Sequence, residues 1–190
     1  ETHGGLREVQ AIAAHPRIES LSFGLMDFVS AHRGAIPSSA MGVQGQFEHP
    51  LVVRAKLEIS AACHAEGKVA SHCVVTEFKR TAALQEAAGA AARRFGYTRM
   101  WSIHPAQIRP IVDAFTPTVA EIDEAIEILQ AAQAAGWAPI RHDDRLHDRA
   151  SYRYFWQLLE RAELTSYSGS SQLPAEVRER WFGETGTQGP

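Results

Sequence analysis

The sequence holds only two cysteines, Cys63 and Cys73, among its 190 residues. Two thiols cannot form a disulfide framework, which favours a reducing, cytoplasmic setting. No apolar run approaches the roughly 18 residues that a membrane-spanning helix needs, and the net charge of −3 offers no basic surface for nucleic acid. With 45% hydrophobic residues, the chain is too apolar for a disordered protein. These absences leave a globular chain with room for one domain and an appendage.

Residues 1–115 show the alternation of helices and strands that is typical of an α/β fold. A short first helix carries Leu6, Val9 and Ala13 on one face, and three compact apolar segments indicate buried strands. Strands that alternate with helices about 30 residues apart predict a parallel sheet built from βαβ units. The predicted strands are 18–24, 68–75 and 99–104, the helices are 51–66, 81–95 and one that starts at Pro105, and 34–50 is predicted to be a surface loop.

The pattern changes after Phe115, and residues 116–190 are predicted to form a helical extension without a strand. Thr118 and Glu121 have the spacing of a capping box, in which each side chain bonds to the backbone of the other residue. The predicted elements are a helix from Thr118 to Gly136, a helix over 149–164, a short apolar segment over 174–182, and a polar, glycine- and serine-rich tail that begins at Thr165.

Two polar residues follow predicted strands at their carboxyl ends, where parallel α/β enzymes collect their chemistry. Asp27 lies just past the first strand, where a carboxylate is a candidate magnesium ligand. The alternative for Asp27 is an N-cap or loop position on the surface. His104 ends the last strand, and there a structural hydrogen bond is favoured over a catalytic base.

Two other groups of titratable residues carry weaker signals. Cys63-His64 and His72-Cys73 are a possible zinc set, although their spacing matches no zinc motif. Residues 142–148 are dense in acids, and a solvated helix start, whose acids the helix dipole favours, is the simplest explanation. The sequence has neither a glycine-rich phosphate loop nor a G-x-S-x-G elbow.

Five motifs occur together in the chain and span about 1–165. They are Glu1-Thr2 with the helix that follows, FGLMDF at 23–28, IHPAQ at 103–107, FTPTVAEI at 115–122 and DDRLHD at 143–148. Together they resemble the HpcH/HpaI aldolase and citrate lyase β-subunit family, especially its citrate-lyase-like and malyl-CoA-lyase-like branch. The resemblance implies that 1–115 is the C-terminal part of a TIM (β/α)8 barrel, with the end of strand 5 and strands 6–8, and that 116–190 is a helical C-terminal extension or lid.

The resemblance also implies a metal site and a proton-transfer residue. Glu1 matches the glutamate at the end of the fifth barrel strand, and Asp27 matches the aspartate after the sixth; in the family this pair binds Mg²⁺. Asp148 matches an acid of the extension that reaches into a neighbouring subunit's active site. There it exchanges a proton with the enol or enolate of acetyl-CoA, so coenzyme A enters as part of the substrate.

Four positions depart from the family pattern. Many members carry an aspartate on the seventh strand, where this chain reads Ala-Ser-His-Cys at 70–73, and a lysine shortly before IHP, where it has Met100. Met26 stands where an acid often precedes the metal aspartate, and Asp144 stands where a glycine follows Asp143. These departures concern contacts to the substrate, whereas the metal ligands are kept.

The predicted function is a Mg²⁺-dependent carbon–carbon lyase. It cleaves a 3-hydroxyacyl-CoA thioester such as malyl-, citramalyl- or citryl-CoA into an acyl-CoA and a 2-oxo acid, or forms the thioester from these two compounds. Two alternatives stay open: a class II-type aldolase that acts on free 2-oxo-acid adducts without CoA, and a non-catalytic paralogue that binds a metabolite. Small molecules are the expected partners, and neither nucleic acid nor membrane is expected.

The extension and the chain length add two further expectations. Tyr152, Tyr154, Phe155 and Trp156 give one helix more aromatic surface than its own domain needs, which predicts a homotrimer or hexamer. Packing on the parent barrel is the alternative. Because a complete barrel takes about 200–250 residues, the chain is expected to be the C-terminal part of a protein of roughly 300 residues or more.

Overall fold

Parallel strands and the helices around them form the first of two units in the computed structural model. The structure describes residues 1–77, 80–166 and 173–183, and the two units are Glu1–Phe115 and Thr116–Pro190. The helices of the first unit are α1 (His3–Arg7), α2 (Val9–Ala13), α3 (Leu25–Ser30), α4 (Pro50–Ala65), α5 (Thr81–Arg94) and α6 (Ile108–Phe115), and its strands are β1 (Ser20–Ser22), β2 (Val69–His72) and β3 (Arg99–Met100).

The three strands form one sheet in the order β1-β2-β3, and both pairings are parallel. Ser20 pairs with Val69, and Ser71 pairs with Arg99. The parallel βαβ arrangement is therefore confirmed, whereas closure into a barrel of eight strands stays a prediction. Because the strands run in the same direction, their carboxyl ends lie along one edge of the sheet.

The helices bury the faces that their periodicity predicts. Val52, Ala55 and Ile59 of α4 all belong to the core of the first unit, and α5 adds a row of buried alanines to it. Gly67 and Gly96 follow these two helices with φ of 62° and 70°. This left-handed conformation suits glycine and turns the chain out of the helix.

Residues 34–50 are not the surface loop that their composition predicts. Two short 3-10 helices, Ser38–Met41 and Gly45–Phe47, fold much of this segment against the first unit. Ile36 and Phe47 are buried in the core cluster. Glycine, serine and proline favour the turns of this segment. The few apolar side chains between the turns are buried, because removing them from water lowers the free energy of the folded chain.

Strand β3 ends at Met100, although the sequence predicts that it runs to His104. The chain turns instead, because His104 is the N-cap of a 3-10 helix that starts at Pro105. Its Nδ1 accepts a hydrogen bond from the backbone N–H of Ala106 at 3.2 Å. His104 thus has the structural hydrogen-bonding role that the sequence favours.

Gln107 fixes this turn from inside the core. Its side chain is 1% exposed. Its Oε1 accepts from the N–H of Ile103 at 2.9 Å, and its Nε2 donates to the carbonyl of Val75 at 2.8 Å. Because Val75 follows β2 and Ile103 follows β3, the IHPAQ motif ties the exits of two neighbouring strands together.

A β-hairpin interrupts the second unit, which the sequence predicts to contain no strand. Its elements are α7 (Val119–Ala134), β4 (Ile140–His142), β5 (Arg145–His147), α8 (Arg149–Leu164) and α9 (Ala175–Phe182). The predicted capping box is confirmed: the N–H of Glu121 donates to Thr118 Oγ1, and the N–H of Thr118 donates to Glu121 Oε2. The predicted bounds 149–164 are those of α8.

The hairpin turns at Asp143 and Asp144, whose φ angles are 44° and 60°. Two consecutive positive φ values are typical of the tight type I′ turn that suits the twist of paired strands. Asp144 also forms an ion pair with Arg141. Residues 142–148 are therefore a hairpin and a helix cap, and the solvated helix start predicted for the whole segment is wrong. An Asp-Asp turn lacks the glycine that would have signalled the hairpin.

Most of the aromatic residues of α8 pack inside their own unit. The Tyr152 side chain is fully buried, and its hydroxyl lies 2.7 Å from the Ala138 carbonyl oxygen and 3.1 Å from that of His147. Phe155 belongs to the core, and Trp156 packs against the ring of Trp181. Packing within the unit accounts for these three side chains, so assembly stays a prediction.

Parts of the predicted polar tail, 167–172 and 184–190, lie outside the described residues. Between these two stretches the chain forms α9, as the apolar segment 174–182 suggests. In the described ranges, no helix combines the length and the apolar character that crossing a membrane requires.

Replacing Gln107 by leucine is expected to destabilise the first unit by about 2–4 kcal/mol, because two buried backbone groups lose their partners. The measurement is the free energy of unfolding of the intact protein in denaturant. Gln85→Leu is the matched control, since Gln85 is exposed on α5, and it should stay within about 0.5 kcal/mol of the wild type. Equal stabilities of the two variants would contradict the anchoring role of Gln107.

Candidate active site

The side chain of Glu1 packs against Gly24, directly after the carboxyl end of β1. A methyl group at position 24 would lie 2.6 Å from the Cβ of Glu1 and 2.7 Å from its Oε2. These distances are shorter than van der Waals contact, so Gly24 leaves room that another residue would fill. Because Gly24 is the N-cap of α3, the Glu1 carboxylate lies at the start of that helix.

Asp27 lies in the first turn of the same helix and is exposed. A carboxylate is favoured there by the positive end of the helix dipole. The next residue, Phe28, anchors the helix in the core, where its ring contacts Phe23 edge-on at a centroid distance of 5.3 Å. The structure therefore brings Glu1 and the helix of Asp27 to one strand end, and their shared role as metal ligands stays a prediction.

A cavity of about 110 Å³ lies beside Glu1. Its wall is mostly apolar and includes Leu6, Val9, Ile12, Leu21, Phe23, Phe28 and Ile59. Glu1 is itself an exposed residue. The cavity therefore sets an apolar wall beside an exposed acidic residue.

The two carboxylates fit a magnesium ion. Mg²⁺ prefers oxygen ligands and is commonly held by one or two carboxylates, with substrate and water oxygens completing its shell. Within the described parts of the chain, no three acid, histidine or cysteine side chains gather into a metal cage. Glu1 and Asp27 therefore suit an ion shared with a substrate better than a closed zinc site.

The cysteine and histidine pairs take part in other interactions. The Nε2 of His64 lies 2.6 Å from the carbonyl oxygen of Gly96. Cys63 and Cys73 are buried free thiols. His72 contacts a buried lysine instead of a metal ion, as described below.

Asp148 lies in the second unit as the N-cap of α8. Its Oδ1 accepts from the N–H of Ala150 at 2.9 Å, and its own N–H donates to Ser151 Oγ at 3.0 Å. The side chain is exposed. This capping role explains an acid at position 148 without catalysis, so its proton-transfer role stays a prediction.

A buried lysine network beside the sheet was not predicted from the sequence. Lys56 of α4 has no exposed surface. Its Nζ donates to Gln46 Oε1 at 2.8 Å and also bonds to the Nε2 of His72. The signal was present, because Lys56 is four residues after Val52 and three before Ile59, on the apolar face of the helix.

The hydrogen bonds of His72 define its tautomer. Its Nδ1 lies 2.9 Å from the carbonyl oxygen of Cys73, which only accepts, so Nδ1 carries the proton. Nε2 is then the acceptor for the Lys56 ammonium. The ammonium also lies 3.8 Å from the Sγ of Cys73 and 4.4 Å from the centroid of the Phe47 ring. All three of its N–H groups therefore have neighbours.

Burial shifts the acid–base behaviour of this network. It lowers the pKa of Lys56 from 10.5 to about 8 and holds the pKa of His72 well below its usual range, since burial desolvates the charged forms. Burial also raises the pKa of the Cys73 thiol. At neutral pH, Lys56 is therefore the charged member, while His72 and Cys73 are neutral.

Comparison with known proteins finds relatives of this chain, although no family model matches it. The chain is similar to L-malyl-CoA/beta-methylmalyl-CoA lyases from Cereibacter sphaeroides, with 29% identity over 185 residues, and from Rhodobacter capsulatus, with 28% over 180. These matches cover 87% and 86% of this chain but 56% and 55% of the lyases. The chain thus spans about half the length of the curated relatives that it matches.

Solved structures give the same result. A citrate lyase from Burkholderia xenovorans LB400 is 63% identical, with a TM-score of 0.79, over 87% of this chain and 52% of that one. The chain is thus similar to proteins of the citrate-lyase-like HpcH/HpaI aldolase family. CitE from Mycobacterium tuberculosis, solved with magnesium, acetoacetate and coenzyme A, shares the fold at 23% identity and a TM-score of 0.71, over 85% of this chain and 58% of that one.

In this citrate-lyase-like chain, the structure accounts for three departures from the family pattern. Met100 is buried in the core. His72, within the 70–73 segment, is buried and bonded to Lys56. Asp144 has a φ of 60°, a conformation that glycine adopts most readily. The substituted positions 72 and 100 therefore contribute to the core.

Gly24→Ala is expected to weaken Mg²⁺ binding, because the added methyl group displaces Glu1. A displaced ligand typically lowers metal affinity by about 10- to 100-fold. Calorimetric titration of Mg²⁺ in the presence of pyruvate measures the change. Gly89→Ala is the control, since a methyl group there meets no atom within 4 Å. Wild-type affinity in Gly24→Ala would argue against Glu1 as a ligand.

Lys56→Met is expected to change the pH dependence of stability. The folded protein loses the Lys56 proton near pH 8, whereas the unfolded chain keeps it until about 10.5. Between these values the unfolded chain binds more protons, so raising the pH stabilises the wild-type fold. Relative to Lys56→Met, the wild-type free energy of unfolding should rise by about 2–3 kcal/mol from pH 7 to pH 10.

Denaturant unfolding of both proteins at each pH tests this expectation, because the groups whose pKa Lys56 does not affect cancel in the difference. Parallel pH curves for the two proteins would mean that Lys56 keeps its ordinary pKa.

Proposed function

We propose that the intact protein is a Mg²⁺-dependent carbon–carbon lyase that acts on a 3-hydroxyacyl-CoA thioester such as malyl-, citramalyl- or citryl-CoA. The observation that carries the proposal is the packing of Glu1 against Gly24 at the start of the helix that bears Asp27. This packing puts the Glu1 side chain beside the start of the helix that bears Asp27. The resemblance to malyl-CoA lyases supports a thioester as the substrate.

Glu1 and Asp27 would hold the ion. When bound, Mg²⁺ supplies a Lewis acid that stabilises negative charge on the oxygens of the 2-oxo acid. The wall beside Glu1 is mostly apolar. CitE was solved with magnesium, acetoacetate and coenzyme A, and magnesium and a coenzyme A group are also what the proposal assigns.

Cleavage requires two proton movements. The 3-hydroxyl group loses a proton to a base, the bond between the second and third carbons breaks, and the 2-oxo acid leaves. The electron pair of the broken bond forms the enolate of the acyl-CoA, which then takes a proton from an acid. Condensation runs through the same steps in reverse. One carboxyl group at the enolate carbon therefore donates the proton in cleavage and accepts it in condensation.

Asp148 is the residue proposed for that proton transfer, supplied by the extension of a neighbouring subunit in a homotrimer or hexamer. Its backbone and Oδ1 are fixed by the cap of α8, which orients the carboxyl group in advance. The Asp148 side chain accepts from the backbone N–H groups of Ala150 and Ser151, and in this proposal the same carboxyl group exchanges the proton.

An aldolase that acts on free 2-oxo-acid adducts is the second candidate. Met100 stands where many members of the family carry a lysine, and 70–73 reads Ala-Ser-His-Cys where many carry an aspartate. The loss of this lysine and this aspartate motivates the alternative. Binding of coenzyme A to the intact protein would separate the thioester lyase from this aldolase.

The proposal is tested by assaying the intact protein with malyl-, citramalyl- and citryl-CoA in the presence of Mg²⁺. Glu1→Gln and Asp27→Asn should each lower kcat/KM by about 100-fold or more and weaken Mg²⁺ binding. Asp148→Asn should lower kcat by about 100-fold with Mg²⁺ affinity unchanged. Asp113→Asn is the control, since Asp113 is exposed and pairs with Arg109.

Absence of cleavage and of condensation with every thioester would reject the lyase. A protein that also fails to bind Mg²⁺ in the presence of pyruvate would favour the non-catalytic, metabolite-binding alternative.

A further inference from the structure

Lys56 lies where the exits of β1 and β2 meet the segment that follows α3. Its Nζ bonds to Gln46 in that segment and to His72 at the end of β2. The ammonium also lies 4.4 Å from the ring centroid of Phe47 and 5.7 Å from that of Phe23. One buried cation therefore contacts three separate parts of the chain, and cation–π attraction adds to the hydrogen bonds.

Phe23 links this cation to the candidate metal site. It immediately precedes Gly24, against which Glu1 packs. Its ring also contacts Phe28, the neighbour of Asp27 on α3. The Phe23 ring is therefore in contact with the helix of Asp27, and its residue precedes the glycine against which Glu1 packs.

We propose that Lys56 is a positioning residue that holds Phe23, and through Phe23 both candidate carboxylates, in the arrangement that binds Mg²⁺. This inference rests on the proposed function and adds a residue to its machinery. An apolar side chain of similar length would fill the same space, but it would remove the ammonium donor of His72 Nε2 and would leave Gln46 Oε1 with the thiol of Cys73 at 3.5 Å. The hydrogen bonds make the position of the ammonium specific, since they are directional.

The protonation state of Lys56 controls these bonds, because only the ammonium form offers three donors. The titratable groups that face it are His72 and Cys73 after β2, and Tyr97, whose hydroxyl donates to the Lys56 carbonyl at 3.0 Å. The other side chains around it are an amide and two phenyl rings. Because the pKa of Lys56 is about 8, the ammonium is lost as the pH rises through that value.

The test compares Mg²⁺ affinity in the presence of pyruvate, and kcat/KM for the thioester, on both sides of pH 8. In the wild type both should fall by about tenfold per pH unit above the pKa. Gln46→Glu places a carboxylate against the ammonium, which raises the pKa of Lys56 and should move the fall upward by about one pH unit or more. Lys56→Met should bind Mg²⁺ weakly at every pH and show no fall.

Lys68→Met is the matched control, because Lys68 is the half-buried lysine before β2, and it should keep the wild-type profile. A Gln46→Glu profile that coincides with the wild type, or a folded Lys56→Met with wild-type Mg²⁺ affinity, would overturn the role of Lys56. If Lys56→Met does not fold, the pH profile of Gln46→Glu alone decides whether Lys56 is a positioning residue.

Hydrogen–deuterium exchange of residues 23–28 gives a readout that is independent of catalysis and metal. Exchange should be faster in Lys56→Met than in Lys68→Met, and equal exchange would count against positioning. A wild-type protein that is inactive with every thioester and does not bind Mg²⁺ would reject the proposed function instead. The exchange measurement would then still decide whether Lys56 holds this segment.

Discussion

Parallel pairing of β1 with β2, and of β2 with β3, is the constraint on which the first unit depends. Strands that run in the same direction end at the same edge of the sheet. The segments after Ser22, His72 and Met100 therefore lie side by side. Helix α3, with Asp27, begins at this edge, and Glu1 packs on its N-cap. The candidate site is therefore a consequence of strand direction, as it is in other parallel α/β proteins.

Buried polar side chains stabilise that edge in ways that apolar packing does not. Gln107 bonds to backbone groups after β2 and β3, and Lys56 bonds to side chains at the end of β2 and in the segment after α3. Burying an amide or an ammonium is costly unless its donors and acceptors are paired. Since these groups are paired, each contributes a directional restraint that fixes how the chain leaves the sheet.

The extension shows how one residue is compatible with two roles. The cap of α8 fixes the backbone and the carboxylate of Asp148. The hairpin of β4 and β5 directly precedes that cap in the chain. A capping requirement by itself selects an aspartate at this position. Proton transfer would use a carboxyl group that the cap has already oriented, so stability and the proposed chemistry do not compete.

Local pattern determined most of the helices and the parallel strands but not the hairpin of β4 and β5. Apolar periodicity and capping residues act over a few positions, and α5, α8 and the Thr118 cap follow directly from them. The family motifs also fixed Glu1, Asp27 and Asp148 as candidates. Contacts between distant residues decided the rest. The packing of Glu1 on Gly24, the burial of Lys56 and the turn held by Gln107 all join segments that are far apart in sequence. No local pattern encodes such contacts, since their free energy exists only once the sheet has brought the segments together.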